Sequence, residues 1–133
     1  MQSNAEEDRL RTKRIYDAPD SRDGARYLVD ALWPRGVSKE DANLDDWLKE
    51  LAPSSRLRSW FDHDPRKWGK FRQRYRAELR AGPKEETLDR LASRAERGNV
   101  TLVFAARDEE HNNAEALRDF IENRMKTQKR RAT

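Results

Sequence analysis

Apolar residues along the chain fall into dense short runs and into longer stretches with helical spacing. Val100–Ala106 (VTLVFAA) is almost continuously apolar, the mark of a strand covered on both faces. Tyr27–Trp33 (YLVDALW) is rich in β-prone residues and is bounded by Pro34–Gly36, which predicts a second buried strand. Lys13–Asp17 predicts a third, short one, followed by turn chemistry over Ala18–Gly24. Asp30 interrupts the second run, so its carboxylate points off the covered face or meets an arginine.

Helical spacing begins after Ser38, a plausible cap with Asp41 behind it. Leu44, Trp47, Leu48 and Leu51 then predict a helix that Ala52–Pro53 stops. Ser55 opens a short helix carrying Leu57, Trp60 and Phe61. Asp64–Pro65 is a cap with proline in the first helical position. The helix it opens runs to about Arg80, with Trp68, Phe71, Tyr75 and Leu79 on one stripe, and Gly82–Pro83 ends it. Leu88, Leu91, Ala92 and Ala95 mark the next helix, closed by Gly98. Asn112 caps the last helix, whose buried stripe is Leu117, Phe120, Ile121 and Met125.

Strands separated by helices and followed by a final helix predict an α/β class. The expected form is a single layered domain with a small, mostly parallel sheet of about three strands and four to five helices. The Trp33 to Val100 link is long enough for a parallel crossover, but the link from Asp17 to Tyr27 is short for one, so the first strand's direction stays open. The organisation is a flexible arm over 1–12, one domain over 13–125 and a basic flexible tail over 126–133. There is no internal repeat.

Composition narrows the function classes. Charged residues make up 41% of 133, well above the usual quarter, so the surface is densely ionic. The net charge of +4 resides in the tail, because Lys126, Lys129, Arg130 and Arg131 alone supply +4. A nucleic-acid argument from bulk charge is therefore misleading. No apolar run spans a membrane, and the polar, acidic start does not resemble a secretory signal, so a cytoplasmic location is expected. Without cysteine there is no disulfide, thiolate metal site or cysteine nucleophile.

Ligands of open α/β sheets bind at the carboxyl ends of strands. Two loops qualify, Pro34–Ser38 and Arg107–Asn112. If their strands are parallel, Arg35 and Arg107 converge beside the N-terminus of the last helix, where free N–H groups favour an anion. The candidate binding residues are Trp33, Arg35, Gly36, Arg107 and Asn112. Two guanidiniums suit phosphate or carboxylate, and Gly36 lets a ligand approach the backbone. The candidate catalytic set is His111 as proton carrier with Asp30 or Asp108 orienting it. Against this stand the consecutive acids Asp108, Glu109 and Glu110, which can occupy the arginines as a structural network.

His63 and His111 are the only histidines, and their spacing matches no metal motif; the plainer account has Asp64 capping a helix with His63 packed beneath it. No dinucleotide or phosphate-loop fingerprint is present, and no cofactor is expected. Two other classes compete with the small-anion pocket. Arg66–Arg80 holds seven basic residues and three aromatics, a composition suited to nucleic acid, although the aromatics fall on the buried stripe. The remaining class is a non-catalytic interaction or oligomerisation domain.

The segments LVDALWPRGVSK, LAPSSRLRSWFDHDPRKWGKFRQRYRAEL and TLVFAARDEEHNNAEALRDF together resemble the small YeaO-like branch of a bacterial family known as a domain of unknown function. The resemblance covers about residues 14–124. It implies a cytoplasmic α/β domain. It also implies ligand-facing positions at Asp30, Trp33, Arg35 and Gly36, and at Arg107, Asp108, His111 and Asn112. Longer relatives carry a Cys-His-Arg segment where this chain has His111-Asn112-Asn113, so thiol chemistry does not carry over.

Overall fold

A run of five wholly buried residues, β4 (Val100–Phe104), forms the centre of the sheet. It pairs in parallel with β1 (Leu10–Arg14) on one side and β2 (Ala25–Leu28) on the other. A two-residue strand, β3 (Asp46–Trp47), adds to β2, giving an all-parallel sheet of order β1-β4-β2-β3. The computed structural model describes residues 9–132. Residues 1–8 of the arm, Thr133 and the side chains of residues 128–132 in the basic tail lie outside the described residues.

The short first link resolves the direction of β1. Ten residues lead from the carboxyl end of β1 back to the amino end of β2, through a turn closed by Asp17 N–H on the Arg14 carbonyl and a 3-10 turn at Ser21–Asp23. An extended chain of ten residues reaches about 33 Å, ample for recrossing a five-residue strand without a helix.

Five α-helices surround the sheet in the described chain. They are α1 (Lys39–Ala42), α2 (Ser55–Phe61), α3 (Trp68–Ala81), α4 (Glu85–Arg97) and α5 (Asn113–Ala132). The stripes of α3, α4 and α5 pack on the sheet face that carries Leu10, Val100, Leu102 and Phe104. The opposite face, with Leu28 and Val103, is covered by α1, by Trp33, Val37 and Leu44 from irregular segments, and by Trp47 of β3. No described helix is long and apolar enough to cross a membrane.

Three elements differ from their sequence patterns. The first strand lies at 10–14 and not 13–17, because Leu10 faces the core opposite Val100. The second strand ends at Leu28, where Asp30 turns the chain. The Leu44–Leu51 spacing does not make a helix: α1 stops at Asn43 in the left-handed region (φ 49°). The Arg26 guanidinium takes the freed carbonyls of Ala42 and Asn43, at 2.8 and 3.0 Å. Asp45 N–H then donates to the Arg26 carbonyl, and Leu48 N–H to that of Leu28, so the chain is captured by the β2 edge before a helix can propagate. The short helix after Pro53 is capped by Ser54, whose Oγ accepts from Leu57 N–H at 3.1 Å.

Arg26 is itself buried, as is Asp23, and their ion pair closes at 2.7 Å. Burial pushes the Asp23 carboxyl up, but the Asp20 N–H, Lys13 and Arg26 together pull it below the usual range. Next to it, Gly24 sits at φ +65°, where an added Cβ would stand 2.1 Å from the Asn99 carbonyl oxygen.

Asp23→Ala leaves the Arg26 charge buried without its partner, and we expect it to lose about 3–5 kcal/mol in urea unfolding at neutral pH. Because the native carboxyl is depressed, this contribution is complete above the ordinary carboxylate range and fades as pH falls through the native value. A loss under about 1 kcal/mol would remove the pair from its structural role.

Candidate functional site

The two predicted loops emerge at the same sheet edge, since β2 and β4 are parallel. Asp30 joins them. Its Oδ2 accepts from Ala105 N–H at 2.9 Å, just past β4, and its Oδ1 accepts from the Asn113 side-chain amide at 3.0 Å, at the start of α5. The same Asn113 amide also reaches the Val29 carbonyl at 3.0 Å, and Trp47 Nε1 donates to the Asp30 carbonyl at 2.8 Å. Burial raises the Asp30 carboxyl above its usual range, against the pull of Asn113, the Ala105 N–H, Arg58 and His63.

The second loop is organised by its own acids. Asp108 Oδ1 accepts from the N–H groups of Glu110 and His111, at 2.9 and 3.0 Å, and its Oδ2 lies 3.0 Å from His111 Nδ1. The Glu110 N–H is the main reason the Asp108 carboxyl lies below its usual range; the His111 bonds act in the same direction. Edge-on contact with Trp68, centroids 5.4 Å apart, holds the imidazole from the other side. Asn112 is buried and caps α5: its Oδ1 accepts from Glu115 N–H at 2.9 Å, and its amide donates to the Asp108 carbonyl at 2.9 Å.

Between the loops lies an open cleft of about 830 Å³. All eight sequence-predicted site residues except Gly36 line it. Trp33 is fixed by Nε1 donating to the Val37 carbonyl at 2.7 Å and by edge contact with Trp47. Gly36 follows at φ +77° with open space where a Cβ would stand, so the backbone angle, and not crowding, calls for glycine. Arg35 and Arg107 are exposed at the cleft, and Tyr16 Oη holds the Arg35 carbonyl at 3.1 Å.

The acids do not occupy these arginines. Asp108 is engaged with His111 and its loop, Asp30 with Ala105 and Asn113, and Glu109 and Glu110 lie exposed outside the cleft lining. Among the described residues, neither Arg35 nor Arg107 makes an ion pair.

The structure adds cleft residues that the pattern did not reveal. Arg58 enters from α2 with Nε donating to the Pro53 carbonyl at 3.3 Å and with no ion-pair partner among the described residues. Its place three residues before buried Phe61 marks it as lying beside the core edge, but not which loops it faces. His63 is not packed beneath the Asp64 cap: it is exposed, lines the cleft, and follows Asp62 in a second successive left-handed conformation (φ 48° and 55°). No three His, Cys, Asp or Glu side chains gather as a metal-holding group among the described residues.

The basic stretch 66–80 lies on α3 and the turn before it, away from this cleft except at Phe71. Phe71 and Tyr75 are in the core, and Trp68 stacks on Phe71. Arg74 and Lys67 lie over the Trp60 ring, at 4.2 and 5.1 Å, and Arg72 over Trp68 at 5.6 Å.

Both bonds to the Asp30 carboxylate come from donors, so Asp30→Asn turns an amide N–H toward a donor. We expect a cost of about 1–3 kcal/mol. The native carboxyl is raised, so the native state binds its proton better than the unfolded chain, and this contribution falls as pH rises above the ordinary carboxylate range. In urea unfolding, the advantage of wild type over Asp30→Asn should therefore shrink from about pH 4 to neutrality; an unchanged difference would exclude burial as the dominant influence on this group.

Residues 9–133 match the family model described as the inactive DUF488-N3 subclade. The uncharacterized protein YeaO of Escherichia coli (strain K12) is 40% identical over 112 residues, covering 84% of this chain and 96% of YeaO. Uncharacterized proteins of Mycobacterium bovis and Mycobacterium tuberculosis are 36% identical over 118 residues, 89% of this chain and 98% of theirs. No solved structure matches. With its whole described fold inside the matched span, the chain belongs to the DUF488 family, in its inactive N3 subclade.

Proposed function

We propose that this protein binds a small anion, a carboxylate or phosphate-bearing molecule, in the cleft between the Trp33–Gly36 and Arg107–Asn112 loops. One observation carries the reading: Arg35, Arg58 and Arg107 line one cleft with Asp30, Asp62 and Asp108, yet none of the three arginines makes an ion pair with a carboxylate among the described residues. A bound carboxylate or phosphate can accept paired N–H bonds from these guanidiniums. The start of α5 adds positive partial charge on the same side, and Asn112 and Asn113 bring that helix end into the lining.

Binding without turnover is the form we favour, and the description of the family model as inactive fits it. His111 is then a polar contact whose ring is oriented by Asp108 through Nδ1. No described residue bonds its Nε2, which in the neutral ring with Nδ1–H on Asp108 can accept from a ligand hydroxyl. Asp30 acts as a positioning residue, because both of its oxygens serve the loops.

A thermal-shift and calorimetric titration with inorganic phosphate, glucose 6-phosphate and phenyl phosphate tests this at moderate salt. At least one of them should raise the melting temperature, since a ligand that binds only the native state stabilises it. Arg35→Ala, Arg58→Ala and Arg107→Ala should each weaken that binding about tenfold or more, the scale of one charge-assisted hydrogen bond. Arg66→Ala, whose guanidinium pairs with Asp64 outside the cleft, should leave it unchanged. Absence of binding by all three anions, or wild-type binding by all three cleft variants, would sink the proposal.

A further inference from the structure

Arginines and other polar groups account for only part of the cleft lining. The lining also carries apolar surface: Pro53 and Phe61 from the α2 segment, Phe71 from α3, Ala105 and Ala106 past β4, and Leu32 at the rim. Leu32 and Tyr16 are the exposed large hydrophobic residues of the described chain. Tyr16 uses its hydroxyl on the Arg35 carbonyl and carries Arg14 over its ring, whereas Leu32 is 68% exposed beside the cleft. Exposing a leucine to water is unfavourable in proportion to its apolar area, and a molecule lying in the cleft would cover it.

Volume points the same way. A phosphate or carboxylate group displaces the space of only a few waters, each about 30 Å³. The cleft measures about 830 Å³, within the range of sites for whole organic molecules. Pro53, Phe61 and Phe71 offer no side-chain hydrogen-bond partner, so ligand hydroxyls lying against that part of the lining would go unpaired.

We infer that the ligand is an amphipathic organic anion, with a single carboxylate or phosphate head at Arg35, Arg58 and Arg107 and an aromatic or aliphatic body against Pro53, Phe61 and Leu32. This rests on the anion-binding reading above and sharpens it from any small anion to this class. Sugar phosphates and inorganic anions fit the head position alone.

Calorimetry with phenyl phosphate, inorganic phosphate and glucose 6-phosphate on the full chain separates the two claims. Phenyl phosphate should bind about tenfold or more tighter than either of the others, the scale of a modest apolar group in a fitting pocket. Its binding should also show a negative heat-capacity change, the signature of apolar burial. Leu32→Ser, at a position exposed enough to leave folding intact, should reduce the preference for phenyl phosphate while leaving inorganic phosphate unaffected. Equal affinity for all three, or a preference unchanged in Leu32→Ser, overturns the amphipathic ligand and leaves the anion site standing. No binding of any of them overturns both. A dimer in sedimentation that Leu32→Ser disperses would also overturn the inference, because the rim would then serve a second copy of the chain.

Discussion

A partly buried carboxylate accepting from two donors on different segments holds the carboxyl edge of the sheet together. Asp30 leaves β2, and its two oxygens fix the backbone past β4 and the first turn of α5. Three segment ends that would otherwise be independent loops become one unit. The position of Trp33 on one side and of Arg107 and Asp108 on the other follows from that tie. The raised carboxyl records the cost of this role: the hydrogen bonds to the carboxylate do not fully replace the hydration that burial removes.

A chain with this many charges must dispose of them, and it does so in two ways. At the amino edge of the sheet, Asp23, Arg26 and Lys13 are paired, and their donors are spent on backbone carbonyls and one carboxylate. At the carboxyl edge Asp108 is engaged with its own loop and with His111, Asp30 with Ala105 and Asn113, and Arg35 and Arg107 make no ion pair among the described residues. This asymmetry between the edges is the reason the proposed anion site is placed at the carboxyl edge. It follows the general placement of sites in parallel α/β sheets, with local charge and not fold alone as the reason.

The cleft of this DUF488-N3 protein is lined by both charged and apolar residues. The apolar wall is built from residues that also stabilise the domain. Phe61 and Phe71 stack at 4.3 Å and belong to the main core, so the cleft floor is an outer surface of that core. A site built this way is rigid, because its floor cannot move without disturbing packing between α2 and α3. The aromatics of the basic stretch 66–80 are drawn into the same core.

Much of the architecture was legible in the chain. Continuous apolarity marked β4, helical stripes marked α3, α4 and the last helix, and the Asn112–Glu115 spacing marked the α5 cap. These are local properties, set by side-chain period and by capping hydrogen bonds within a few residues. Arg35 and Arg107 were also legible as site candidates, because strand ends in a parallel sheet share an edge. What the sequence left undecided depended on contacts between distant residues. The Leu44–Leu51 segment has helical spacing, but hydrogen bonds to the backbone of β2 draw it into a strand and a 3-10 turn. Arg58 and His63 reach the cleft only because α2 packs beside it, and whether the acids of the second loop neutralise the arginines depended on side-chain directions. Local period and capping were enough to mark the central strand and the long helices and to place charged residues beside their ends. Tertiary structure alone decided which charges meet, because pairing depends on distances of a few ångströms between residues far apart in the chain.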